Sequence, residues 1–209
     1  WDWHKPIFEK AKSLNIIPFS SPFDSSSVDF LENLGVELYK IASFENTDIP
    51  LIKKIASKKK PVIMSTGAAS ISQIDEAVST LRENGCNEIV LLKCTSSYPA
   101  SPETSNIKTI PNLKQIFKCP VGLSDHTLGV GVSIASVALG ATVIEKHFTL
   151  DRSEGGVDSA FSIEPLELKI LVDDCKRAFL SLGNVKYGLT SDEINMVKFK
   201  RSVLNFSCV

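Results

Sequence analysis

GLSDHTLGVGVSIASVALGATVIEKHFTLDRSEGGVDSAFS, residues 122–162, decides the fold. It reads as strand, helix, strand and polar loop. Each strand is a short apolar run with a histidine at its polar end, His126 in the first and His147 in the second. LGVGVSIASVALG between them is apolar almost throughout, so a deeply packed helix is expected. Glycines at 155 and 156 open the loop that follows.

Working outward, the same alternation recurs. IIPFSSPF, VELYKIASFE, PVIMSTG and EIVLLKCTSSYP read as strands ahead of PVGLSDHT and ATVIEKHFTL. DSSSVDFLENLG, IPLIKKIASKKK, SISQIDEAVSTLRENG and NIKTIPNLKQIF read as the helices between them, the last interrupted by Pro111. WDWHKPIFEKAKSLN opens the chain with a helical spacing at Ile7, Ala11 and Leu14. Ser70 with Gln73 is a capping box, and Gly85 marks that helix's stop. A long helix is expected over 165–182, with Leu168, Leu171, Val172, Cys175, Ala178 and Phe179 as its apolar face. TSDEINMVKFKRS reads as a short capped helix or a linker.

Strands written as continuous apolar runs are buried on both faces, which is the pattern of a parallel sheet with crossover helices. Every strand carries polar or ionisable residues at its C-terminal end. That distribution belongs to a (β/α)8 TIM-type barrel, whose active sites lie at that face. About six βα units are present, so the α/β barrel is expected to be incomplete, the missing pair lying before Trp1. Residues 1–185 are assigned to this partial barrel. No G-x-G-x-x-G turn follows a strand, so a dinucleotide-binding sheet lacks support.

The chain has 209 residues, 43% of them hydrophobic, and a net charge of -1. That balance gives no electrostatic case for nucleic acid or a membrane surface as partner. The Lys58-Lys59-Lys60 run reads as a solvated helix end. No apolar run approaches the roughly 20 residues of a membrane span, and no signal peptide is evident. Cys86, Cys94, Cys119, Cys175 and Cys208 are scattered and odd in number, which fits a reducing cytoplasm better than a disulfide framework. Cys94, at a strand end beside polar residues, is a candidate nucleophile, or else a small buried strand residue.

Strand alternation places Gly122, Ser124 and His126 on one face, and Val143, Glu145 and His147 on one face. If those faces converge, two imidazoles share one divalent ion, with positions left for water and substrate oxygens. The competing reading is two hydrogen-bonded barrel histidines. Glu145 is a candidate ligand or base, or else the partner of a lysine. The other strand tips offer Ser21, Lys40, Ser43, Ser65, Thr95, Ser96 and Ser124. A lysine among hydroxyls suits a phosphate or carboxylate. Tyr98 and Asp158 are candidates for gripping a polyhydroxylated substrate, or else a turn tyrosine and a loop aspartate.

GLSDHTLG, VALGATVIEKHFTLDRS and GGVDSAFSIEP resemble the sialic acid synthase family, which condenses phosphoenolpyruvate with sugars to make nine-carbon keto acids. FSSPFD, YKIASFE, VIMSTG and KCTSSYPA match it in the same order. GGVDSAFSIEP with KCTSSYPA is most similar to the family's pseudaminic acid synthase branch. The N-acetylneuraminate branch tends to carry G-P-D in the loop and Asn where this chain has Ser96.

The resemblance implies a barrel followed by an antifreeze-like domain, in a domain-swapped homodimer, with residues 186–209 as the start of the linker. It implies a divalent metal (Mn2+, Mg2+ or Co2+) on His126 and His147. Ser21, Lys40, Ser43, Ser65, Ser96 and Ser124 would surround phosphoenolpyruvate, with Thr95 counted as a further substrate-binding residue, and Tyr98 and Asp158 would face an amino-deoxy sugar. Glu45 and Glu145 are the acid/base candidates, alongside the two histidines as catalytic residues. A catalytic Glu and a phosphate-binding Lys of the family's first two strands have no counterpart here, so the 209-residue chain is expected to be nearly inactive alone.

The acceptor implied is a 2,4-diacetamido-2,4,6-trideoxy hexose, giving pseudaminic acid and phosphate. N-acetylneuraminate or N,N'-diacetyllegionaminate synthesis is the alternative on the same barrel. A Schiff-base aldolase would instead need Lys93 or Lys146 to project into the site. A module that only binds, with no catalysis, is the non-enzymatic alternative.

Overall fold

The computed structural model describes residues 1–201. Residues 202–209, with Cys208 and nearly all of the apolar run RSVLNFSCV, lie outside them, as does that part of the expected linker.

Five parallel strands form one sheet in simple sequence order. They are β1 (Tyr39–Ile41), β2 (Val62–Ser65), β3 (Ile89–Cys94), β4 (Val121–Asp125) and β5 (Ile144–Lys146). Helices α3 (Ile49–Ala56), α4 (Ile71–Glu83), α5 (Thr109–Phe117) and α6 (Gly131–Ala138) make the crossovers. Helices α1 (His4–Ser13) and α2 (Ser25–Asn33) precede the sheet, and α7 (Pro165–Ser181) follows it. This is an arc of a TIM-type barrel: an ordered parallel sheet curling with its helices on the outside.

Local chemistry sets the helix starts. Asp24 accepts the Ser27 N–H ahead of α2, and Asp48 accepts the Leu51 N–H ahead of α3. Both bonds of the expected capping box at Ser70 and Gln73 are present. Pro111 does not interrupt α5. It falls in the first turn, where a missing N–H has no intrahelical partner to lose.

Alternate residues divide between the two faces of the sheet. Tyr39, Ile41, Val62, Met64, Ile89, Leu91, Val121 and Leu123 join one apolar core with the helices. Burying each such side chain contributes about 1.5–3 kcal/mol. The intervening residues Lys40, Ser65, Cys94, Ser124 and Glu145 point to the inner, concave face.

Three further expectations are corrected. IIPFSSPF is not a strand; it runs without regular structure, touching β1 through the Lys40 N–H, which donates to Ser20 O at 3.4 Å. Pro18 and Pro22 remove donors, and Ile16 and Ile17 remain more than half exposed. Among the described residues five strands are therefore formed, not six. Helix α6 is only half buried: Ser133, Ser136 and Val137 face inward, while Ala135 and Ala138 are open. Of the expected face of α7, only Leu171 is buried. That helix packs chiefly against α6, so most of its apolar residues have no neighbour to cover them.

Candidate functional site

The site lies where the C-terminal ends of β1 to β5 meet on the concave face. Parallel register brings Ser124 opposite Glu145 and Asp125 opposite Lys146. Gly122 is required for this. A Cβ there would stand 2.2 Å from Val143 O, so only glycine lets β5 come this close to β4.

Two clusters result. In the first, the buried Lys40 ammonium lies 3.2 Å from Glu145 Oε2, and Ser124 Oγ donates to Glu145 Oε1 at 2.7 Å. Glu145 is thus ion-paired, with Lys40 of β1 and not with its neighbour Lys146. Ser43 Oγ lies 3.4 Å from Cys94 Sγ, and Ser96 Oγ lies 3.8 Å from the same sulfur. A Cβ at Gly67 would come within 2.6 Å of Ser43 Oγ and closer still to Ser96 Oγ, so the missing side chain leaves space between these hydroxyls. Ser65 Oγ and Glu45 Oε2 are buried side-chain atoms with no hydrogen-bond partner among the described residues. A lysine, several hydroxyls and two orphaned oxygens are the makings of a polar ligand seat.

In the second cluster the imidazoles of His126 and His147 lie 5.2 Å apart, centroid to centroid. Tyr98 packs 4.3 Å from His126, and Phe161 packs 5.0 Å from His147. His126 Nδ1 lies 2.9 Å from Thr95 O, and His147 Nδ1 lies 3.5 Å from Asp158 Oδ2. A ring whose Nδ1–H points at an oxygen keeps its Nε2 lone pair for a ligand. Two such rings fit a divalent metal as a pair of nitrogen donors. Among the described residues no group of three or more His, Cys, Asp or Glu side chains is placed to hold a metal. The remaining coordination would fall to water or substrate.

The electrostatics follow from burial and contact. Burial pushes His126 away from its charged form, but the neighbouring Cys94 thiol and Thr95 carbonyl outweigh it and raise its pKa. Burial and the charge of His126 lower that of His147. Burial raises the Cys94 thiol, while His126, Ser43 and Ser96 pull it down more strongly, to about 7. Burial raises the Tyr98 hydroxyl, helped by Cys94.

Some expected residues take other places. Thr95 serves the site through its carbonyl. Its hydroxyl faces the helix side, accepting from Lys93 at 2.6 Å and donating to Thr104 O, because alternation sets it opposite Cys94. Ser21 makes no hydrogen bond to the other site residues and lines a cleft of about 180 Å³ with Trp1, His4 and Phe23. Lys93 and Lys146 are buried on the helix side, bonded to Thr95 and to Asp125, so neither projects into the site as an imine-forming lysine would.

Phe161 and Arg152 were not singled out from the sequence. Phe161 sits in a loop without periodicity. Arg152 ties the 155–162 loop to the start of α7, donating from Nε to Ser162 O at 2.9 Å and pairing with Glu164 and Glu167. An arginine between an Asp and two later glutamates was the available signal.

Residues 1–187 match the NeuB family. Over 204 residues the chain is 44% identical to N,N'-diacetyllegionaminic acid synthase of Campylobacter jejuni, covering 96% of this chain and 61% of that protein. Over 203 residues it is 42% identical to pseudaminic acid synthase of the same organism, covering 97% and 59%. The crystal structure of N-acetylneuraminic acid (sialic acid) synthetase from Leptospira borgpetersenii, in complex with citrate, superposes with a TM-score of 0.86. It is 36% identical, over 95% of this chain and 70% of that one. The chain thus spans about three-fifths of the length of these curated relatives.

Proposed function

The chain belongs to the NeuB family, and from that premise we propose that the whole protein is a nonulosonic acid synthase. It condenses phosphoenolpyruvate with an amino-deoxy sugar and water, forming a carbon–carbon bond and releasing phosphate. Pseudaminic acid synthesis from a 2,4-diacetamido-2,4,6-trideoxy hexose is the first reading, favoured by KCTSSYPA and GGVDSAFSIEP. Legionaminic acid synthesis is the second, favoured by the 44% identity to that synthase. The observation that carries the proposal is the adjacency of two seats: a lysine–hydroxyl cradle, and an imidazole pair whose Nδ1 atoms already face oxygens.

The residues divide the work as follows. Lys40 with Ser43, Ser65, Ser96 and Ser124 holds the phosphate and carboxylate of phosphoenolpyruvate and the charge that develops there. Entry of that anion competes with Glu145 for Lys40, which frees a carboxylate at the reacting centre. His126 and His147 would hold a divalent metal such as Mn2+, Mg2+ or Co2+, which when bound polarises the sugar's carbonyl. Tyr98 and Asp158 orient the sugar beside it. Glu45, with one buried unpartnered oxygen, and Glu145 are the groups able to accept or return a proton.

The test is phosphate release by the whole protein, with phosphoenolpyruvate, Mn2+ and each candidate sugar in turn. Release with the trideoxy diacetamido sugars and loss in His126→Ala and His147→Ala are expected. No release with any nonulosonate precursor would sink the reading. The 209-residue chain alone is expected to give little or none.

A further inference from the structure

Behind the imidazole pair, on the helix side of the sheet, lies a buried ion pair that the reaction itself does not use. Lys146 Nζ donates to Asp125 Oδ2 at 2.9 Å and to Thr127 O at 2.6 Å. Their side chains are only 3% and 1% exposed. Ser133 Oγ of α6 donates to the same Oδ2 at 2.6 Å. The Thr127 N–H and hydroxyl donate to Oδ1 at 2.9 and 2.7 Å. Both carboxylate oxygens are thus occupied, and four donors from two strand ends and one helix converge on one carboxylate.

Its location matters more than its strength. Asp125 and Lys146 are the last register partners of β4 and β5, and each immediately precedes a site histidine. Past this point the backbone ladder ends. The His126 carbonyl takes the Ala100 N–H, and the His147 carbonyl takes the Ile163 N–H, so the two histidines are anchored to different loops. On the helix side, the Asp125–Lys146 pair is what ties the two strand ends together at this level.

We propose that Asp125 and Lys146 are positioning residues that clamp the ends of β4 and β5 and so set the separation of the His126 and His147 imidazoles for a divalent cation. The proposal rests on the reading of those histidines as metal ligands. An isolated buried ion pair is weak evidence for stability, since apolar replacement of both partners is often neutral. A clamp placed one residue from both ligands acts instead on geometry, to which metal affinity is sensitive.

The experiment measures Mn2+ binding to the whole protein by electron paramagnetic resonance, without substrate, with thermal melts alongside. The wild type is expected to bind, and the His126→Ala/His147→Ala variant to lose binding. The double variant Asp125→Asn/Lys146→Met, which removes both charges together, is expected to stay folded and bind Mn2+ about tenfold more weakly. Ser133→Ala, which keeps both charges but drops one donor, is expected to shift affinity the same way by less. Tyr39→Phe, remote from the site, controls for stability loss and should leave affinity unchanged. Wild-type affinity in both the double variant and Ser133→Ala overturns the clamp. If the double variant does not fold, Ser133→Ala decides alone. Binding that is absent in the wild type, or that survives loss of both histidines, overturns the metal reading and the clamp with it.

Discussion

Strands β1 and β5 do the same geometric job and are held in opposite ways. Every residue of β1 is buried, and Tyr39 and Ile41 are fully inside the apolar core. Taken as whole residues, those of β5 are only half-buried, although the Lys146 side chain itself is buried. What holds β5 is polar and steric fit: Lys40 and Ser124 on Glu145, Asp125 on Lys146, and the glycine that lets Val143 approach. Apolar burial is strong but indifferent to small displacements, whereas directed polar ties are weaker and fix positions. Both strands bring a candidate site residue, Lys40 on β1 and Glu145 on β5, but β5 is the one held in place by directed ties.

The largest effect should separate the two regimes directly. Met64→Ala, in the fully buried part of β2, should cost about 2–5 kcal/mol in denaturant unfolding. Ile144→Ala in β5 should cost less than half of that. Equal losses would break the contrast. Gly122→Ala comes next, at about 1–3 kcal/mol, because the new methyl meets backbone, which cannot swing aside. Hydrogen exchange should then rise in β5 and stay slow in β1 to β3; uniform acceleration would mean that the sheet yields as one unit. Ser70→Ala removes the capping box of α4 and should cost about 1 kcal/mol, with no change in Mn2+ binding.

The smallest effect is a pH dependence on the packed side. Tyr39 Oη donates to Glu32 Oε2 at 2.7 Å, and this bond is the main reason that the Glu32 carboxyl lies below its ordinary 4.5. A depressed carboxylate stabilises the fold above its unfolded pKa and loses that contribution as pH falls through the folded one. Wild type should therefore lose its advantage over Tyr39→Phe between pH 4.5 and more acid values. A gap between the two melting curves that does not narrow on acidification would show that the hydroxyl acts without the charge.

Period-two alternation was enough to place His126, His147, Ser124 and Glu145 on one face, because strand geometry converts sequence parity into direction. The same parity, applied strictly, would have turned the Thr95 hydroxyl away from Cys94 and out of the site. The Lys40–Glu145 pair was not legible, since the two residues are far apart in sequence and meet only because the sheet curls. IIPFSSPF has the composition of a strand but pairs with none of the described strands, meeting β1 through the Lys40 N–H to Ser20 O bond. Helix α6 is apolar enough to be enclosed, yet composition cannot say how many neighbours a helix will find. Phe161 obeys no period at all and is placed by the loop that Arg152 moors.

If Lys40 seats an anionic substrate as proposed, its contact with Glu145 makes the cradle a small ion exchanger. Its cation already holds a tethered carboxylate, so an entering anion displaces a counter-ion instead of filling a vacancy. A singly charged anion swaps one unit of charge for another and gains little. A doubly charged one gains electrostatically and leaves Glu145 expelled but still close. Selectivity for dianions, and release of a carboxylate only once one has arrived, would then follow from a single ion pair across the arc of the sheet.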